Sequence, residues 1–182
     1  IVSDPKILQT LRDAGKIHQE IIRELFATGY SQNEQGIEIE EWIKEIQNKK
    51  GVESAFLGQY NYPANIILSV NDVVVHGVPM DIPFESGDVV KVDYGIATND
   101  ISLMQRRRLL SENQKMFVMY DDSGTKDALA AGIAQAKAGN FVGDISSAIE
   151  TTVTQGGFYI IRELTGHGLG TQIHEKPDIY NF

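Results

Sequence analysis

The sequence predicts an α+β fold with helices packed on a sheet, and three observations carry that reading. Apolar residues recur at helical spacing early in the chain. Three β-branched runs separated by turn residues follow between positions 64 and 96. A helix, helix, strand order then returns in the second half. The doubling is one of pattern, not of close sequence repeat, and it hints at two related halves sharing a sheet.

Each element has its local reason. In 3–26, Ile7, Leu8, Leu11, Ala14, Ile17, Ile21, Ile22 and Leu25 form one stripe, with Ser3 or Asp4 as cap and Pro5 in the first turn. His18 falls beside that stripe and reads as a surface or packing residue. Residues 31–51 form a second amphipathic helix that Gly51 ends. "ANIILSV" (64–70), "DVVVHGV" (72–78) and "DVVKVDYGI" (88–96) read as strands. Helices return in 125–139 and 142–157, the latter with Gly143 before an Asp144 cap, and "FYIIREL" (158–164) reads as a strand.

Composition excludes several classes of function. The 182 residues suit one domain, 1–182, with ample length for a core. A net charge of −9 argues against a nucleic-acid surface, and the three arginines 106–108 read as a solvated face. With no cysteine, neither a disulfide framework nor a thiolate metal site can form. Nothing resembles a signal peptide or a span of about 20 apolar residues, so a cytoplasmic protein without a membrane partner is expected.

The chemistry concentrates in a few polar residues. In "GHGLGTQIHEKP" (166–177), His167 and His174 sit among alternating glycines, which let other groups approach the backbone closely. Asp93 falls mid-strand, where a carboxylate is poorly tolerated unless paired, hydrogen-bonded or bound to a metal. His76 ends an apolar run just before a Gly-Val-Pro turn. Carboxylate plus imidazole suits Mn, Fe, Co or Zn.

"YNYPANIILSVNDVVVHGVP", "GDVVKVDYG", "GIAQAKAGNFVGDISSAIE" and "GHGLGTQIHEKP" resemble, in order, the methionine aminopeptidases, over almost the whole chain except 101–124. The resemblance implies a pita-bread fold: two pseudo-symmetric αβ halves around a curved antiparallel sheet. It implies a pair of divalent metal ions that supply hydroxide and polarise the carbonyl after an initiator methionine. By position Asp93 and His167 resemble metal ligands. His76 and His174 resemble the substrate-contacting, catalytic histidines, with His174 stabilising the oxyanion and His76 holding the substrate amide. The partner implied is a peptide or nascent-chain N-terminus, met by a monomer.

Two departures from the family pattern matter. The family sets a second aspartate ligand across a hairpin from the first. With Thr98-Asn99 as the turn, Met104 stands opposite Asp93, a soft and uncharged thioether at a ligand position. Asp100 would face Asp93 only if the turn moved to Ile96-Ala97, whose chemistry suits a two-residue hairpin poorly. The resemblance also implies a C-terminal part bearing two glutamate ligands, which these residues lack. At most one metal, weakly held, and little or no methionine release are therefore expected of this chain. Two other readings compete: a non-catalytic pita-bread domain that binds peptides or protein partners, and a proline-specific peptidase of the same fold.

Overall fold

The computed structural model describes residues 4–27, 34–98, 101–110, 122–170 and 172–182, with only the backbone described for 101–110 and 122–123. The elements are α1 (Pro5–Ala27), α2 (Gly36–Lys50), β1 (Glu53–Ser54), β2 (Ile66–Val70), β3 (Val89–Thr98), β4 (Ile101–Leu110), α3 (Asp122–Gln135), α4 (Val142–Gln155), β5 (Gly166–Gly168) and β6 (Glu175–Ile179). Two compact units result. Unit 1 is Ile1–Met116 with Gly170–Ile173, and unit 2 is Phe117–Leu169 with His174–Phe182.

Unit 1 is organised by β3. One of its edges pairs antiparallel with β2 and β1, and the other pairs with β4 over its whole length. Val90, Val92, Tyr94 and Ile96 alternate onto one face and are fully buried with Ile21, Ile22 and Leu25 of α1 and Ile39, Ile43 and Ile46 of α2. Each such aliphatic side chain contributes on the order of 1.5–3 kcal/mol on burial. A smaller cluster, Ala55, Phe56, Ile67 and Ile173, is joined by the ring of Tyr62.

Two helix ends fall where the sequence predicts, the start of α1 and the stop of α2, while α2 starts at Gly36 and not at 31, and α3 runs from Asp122 to Gln135 and not over 125–139. The Asp4 carboxylate accepts the Lys6 amide at 2.8 Å, satisfying a donor of the first turn. Glu38 reaches back to the Gln35 amide at 2.7 Å, and Gly51 takes the left-handed conformation (φ 68°) that ends α2. His18 is a packing residue. It is buried, stacks on Tyr94 with ring centroids 5.4 Å apart, and donates from Nε2 to the Tyr94 carbonyl at 3.0 Å.

In unit 2, α3 packs against α4, and the small Gly132 admits Ile149. Asp144 serves α4 from its third position, accepting the Phe141 amide at 2.7 Å, so Phe141 and not Asp144 is the cap residue. Ser146 of α4 donates to the Tyr180 carbonyl at 2.6 Å. Arg162 pairs with Glu150 at 2.9 Å and lies 4.3 Å from the centre of the Phe182 ring. Among the described residues no helix is long and apolar enough to cross a membrane.

Two expected strands are loops. Residues 72–78 do not form a strand, because Asn71 (φ 49°) and His76 (φ 59°) turn the chain at both ends of the valine run. The Asn71 side chain closes the first turn by bonding Asp88 and the Val89 amide, and Val73 and Val74 are left exposed. Residues 158–164 have no ladder partner either, and Tyr159 and Ile161 face solvent. Apolar β-branched composition needs a neighbouring strand edge to become a strand.

Candidate functional site

In unit 1 the site residues grow from β2 and β3. Asp93 alternates away from the core set by Val92 and Tyr94. It is half-buried, and its Oδ1 is shielded from solvent. On β2 it stands opposite Ile67, a member of the smaller apolar cluster. A carboxylate there sits beside hydrocarbon on one side of the ladder.

The other side of the ladder corrects the expected register. Thr98 pairs with Ile101, so Asp93 stands opposite Arg106, and Met104 stands opposite Gly95. The two-residue connection is 99–100, one position later than expected, which moves every pairing by two residues. Asp100 lies outside the described residues. The strand "ISLMQRRRLL" contains no carboxylate in any register.

His76 is exposed and holds a left-handed backbone, a conformation that costs a non-glycine residue about 1–2 kcal/mol. Its neighbour Gly77 explains how it persists. Gly77 lies flat on β2, where an added Cβ would meet the Leu68 carbonyl oxygen at 2.2 Å. The Gly77 amide donates to Ser69 Oγ at 3.1 Å, while its carbonyl accepts from the Leu68 amide at 3.0 Å and the Tyr62 hydroxyl at 2.7 Å. Burial, and then the negative charges of Glu40 and Asp93, push the Tyr62 phenol above its ordinary 10.0, so it remains a neutral donor.

In unit 2, β5 and β6 form a two-stranded hairpin with a bulge between His167 and Gly168. The flanking glycines are a condition of that pairing. A Cβ at Gly168 would meet the Lys176 oxygen at 2.7 Å, and one at Gly166 the Ile179 oxygen at 3.1 Å. The hairpin brings the rings of half-buried His167 and exposed His174 to 4.2 Å between centroids. His167 Nδ1 lies 3.0 Å from the Gly168 carbonyl. A carbonyl only accepts, so the proton belongs on Nδ1 and the lone pair on Nε2, the arrangement of a metal-ligating imidazole.

Asp93 and His76 belong to unit 1, and His167 and His174 to unit 2. Among the described residues no group of three His, Asp or Glu side chains converges as a metal site. The donor set in each unit does not by itself fit a dinuclear centre. Sequence reasoning did not single out Tyr62 or Ser69, although the Tyr-Pro step at 62–63 was a signal for a fixed turn.

Residues 9–182 match the family described as Metallopeptidase family M24. A methionine aminopeptidase of Clostridium perfringens is 31% identical over 189 residues, covering 100% of this chain and 73% of the relative. The crystal structure of methionine aminopeptidase from Rickettsia prowazekii matches with a TM-score of 0.93 at 26% identity, covering 100% of this chain and 73% of that one. The prolidase from Pyrococcus furiosus matches with a TM-score of 0.82 at 22% identity, over 100% of this chain and 52% of its own, and so speaks for the fold alone. The fold is the α+β pita-bread fold. With the match running through both units and both histidine-bearing segments, the chain belongs to metallopeptidase family M24, among the methionine aminopeptidases.

Proposed function

We propose that the protein is built to act on the N-terminus of a methionine-initiated peptide or nascent chain, and that this chain as it stands is catalytically impaired. The observation that carries the reading is the pair of imidazoles, His167 and His174, 4.2 Å apart on the bulged hairpin. In this reading Asp93 and His167 are metal ligands, while His76 and His174 contact the substrate. His174 is the group that meets the oxyanion, and His76 holds the substrate amide. The cofactor class is a divalent ion: Co, Mn, Fe or Zn. The chain works as a cytoplasmic monomer.

Impairment follows from the donor count. Metal affinity depends on the number of anionic ligands and on an ordered shell around them. One carboxylate and one imidazole leave an ion mostly hydrated, and β4 offers no second carboxylate opposite Asp93. At most one weakly held ion is expected. The same absence of a carboxylate in β4 favours a second reading, a pita-bread domain that binds peptides or protein partners without cleaving them.

The test is hydrolysis of a methionine-initiated peptide with excess Mn or Co, alongside calorimetric counting of bound metal. The expected result is no measurable methionine release and at most one weak site, which Asp93→Asn abolishes. Two tight sites, or robust turnover, would overturn impairment. Peptide binding without metal or cleavage would favour the second reading. Arg106→Asp is expected to strengthen metal binding more than Met104→Asp, and the reverse order would show that the ligand position does not follow the β3–β4 register.

A further inference from the structure

We propose that Tyr62 and Ser69 are positioning residues whose task is to hold His76 in its left-handed conformation and so aim its imidazole at the substrate; this rests on the reading of His76 as a substrate contact. His76 is exposed, so nothing about its own burial fixes it. What is fixed is the peptide that follows it. Gly77 is bonded through its amide to Ser69 Oγ and through its carbonyl to the Leu68 amide and the Tyr62 hydroxyl.

The Leu68 bond joins backbone to backbone and needs only the close approach that Gly77 allows. The two side-chain bonds are particular to Tyr62 and Ser69. Ser69 is 1% exposed, and its hydroxyl accepts the Gly77 amide from within β2. Tyr62 packs its ring against the Phe56 and Ile67 cluster, and its hydroxyl also lies 3.1 Å from the Ile66 carbonyl. The one phenolic proton is thus held between two carbonyls, the nearer being that of Gly77. Burial and the charges of Glu40 and Asp93 keep the phenol protonated, so this donor persists through the neutral and mildly alkaline range. Left-handed backbone at a non-glycine residue persists only where its surroundings over-determine it. At His76 those surroundings are the bonds to Gly77.

The experiment uses the whole chain, labelled for NMR, as wild type, Tyr62→Phe and Ser69→Ala. Positive φ brings a residue's amide and α protons closer than negative φ does, so the intraresidue cross-peak of His76 reads its conformation directly. Both variants are expected to weaken or lose that cross-peak. Ser69→Ala is also expected to speed exchange of the Gly77 amide roughly fivefold, the factor an ordinary net hydrogen bond represents. A merely structural role would lower the melting temperature and leave the His76 cross-peak intact, and that result would overturn the inference. Should Tyr62→Phe fail to fold, Ser69→Ala decides alone by the same cross-peak.

A second measurement on the same samples separates this inference from the functional reading. A methionine-initiated tripeptide is titrated while the His76 ring resonances are followed. Shifts in the wild type that the variants lose support the aiming role. If the wild-type ring does not shift while the variants lose the cross-peak, the holding role stands and the substrate reading of His76 falls.

Discussion

Unit 1 and unit 2 present their candidate functional side chains on very different scaffolds. Asp93 stands in a strand of 10 residues paired on both edges and packed on the fully buried Val92, Tyr94 and Ile96. His167 stands in a strand of 3 residues with a bulge beside it, paired on one side to β6. Among the described residues of unit 2 the buried ones are Ala128 and Ser146, while Leu129 and Ile133 of α3 are exposed. The difference teaches that the carboxylate is placed by packing and the imidazoles by backbone contact. Damage to the first should therefore spread through unit 1, and damage to the second should stay local.

The strongest way to break that contrast is a cavity in unit 1. Ile43→Ala removes a side chain with no exposed surface, and a loss of about 2–5 kcal/mol in denaturant unfolding is expected. Leu129→Ala on the exposed face of α3 is expected to stay within about 0.5 kcal/mol. Equal losses would mean that unit 2 is packed as tightly as unit 1.

Glycine substitution sharpens the second half of the contrast. Gly168→Ala puts a Cβ against the Lys176 and Glu175 oxygens, which belong to backbone and cannot swing aside. A loss of about 1–3 kcal/mol is expected, with the His167 ring resonances displaced. Gly15→Ala in α1 meets nothing within 4 Å and should instead stabilise by about 0.5–1 kcal/mol. Both are read by thermal or chemical unfolding.

Alkaline pH bears on two tyrosines of unit 1. Burial raises the phenols of Tyr62 and Tyr94 above their ordinary 10.0. Groups raised in the folded state contribute stability that is complete below the unfolded pKa and lost as pH rises. Above pH 10 the unfolded chain releases protons that the folded chain keeps, so stability should fall, by up to about 1.4 kcal/mol per pH unit for each tyrosine. Tyr62→Phe should remove one tyrosine's share of that slope, as followed by urea unfolding from pH 9 to 11. An unchanged slope would show that Tyr62 ionises freely in the folded protein.

The smallest effect is at acid pH. Lys50 bridges α2 to Glu20 of α1 at 2.8 Å, and that hydrogen bond lowers the Glu20 carboxyl below its usual range. A lowered acid contributes above its unfolded pKa of 4.5, and the contribution fades as pH falls through its folded value. The pair is exposed, so Glu20→Gln should change the acid limb of unfolding only slightly, and less in high salt. A large change would mean that α1 and α2 depend on this bridge more than on Ile21 and Ile43.

Much of the candidate site is legible in the sequence alone, because its signals are local. Asp93 stood out as a carboxylate in mid-strand, on the face opposite Val90, Val92 and Tyr94, and His167 by the glycines on either side of it. The helix ends at Asp4 and Gly51 were equally readable, since a cap is chemistry among adjacent residues. The sequence by itself determined which residues form the helical stripes, which face of β3 turns inward, and which polar residues stand out against that pattern. Only the tertiary structure decided what lies beside them. It set Arg106 and not Met104 opposite Asp93, made a loop of the valine run, and drew Tyr62 and Ser69 onto Gly77. Strand register and loop contacts join residues far apart in the chain, and a shift of the turn by one position moves every partner by two. Periodicity within a segment is blind to that choice, which the packing of the whole sheet makes.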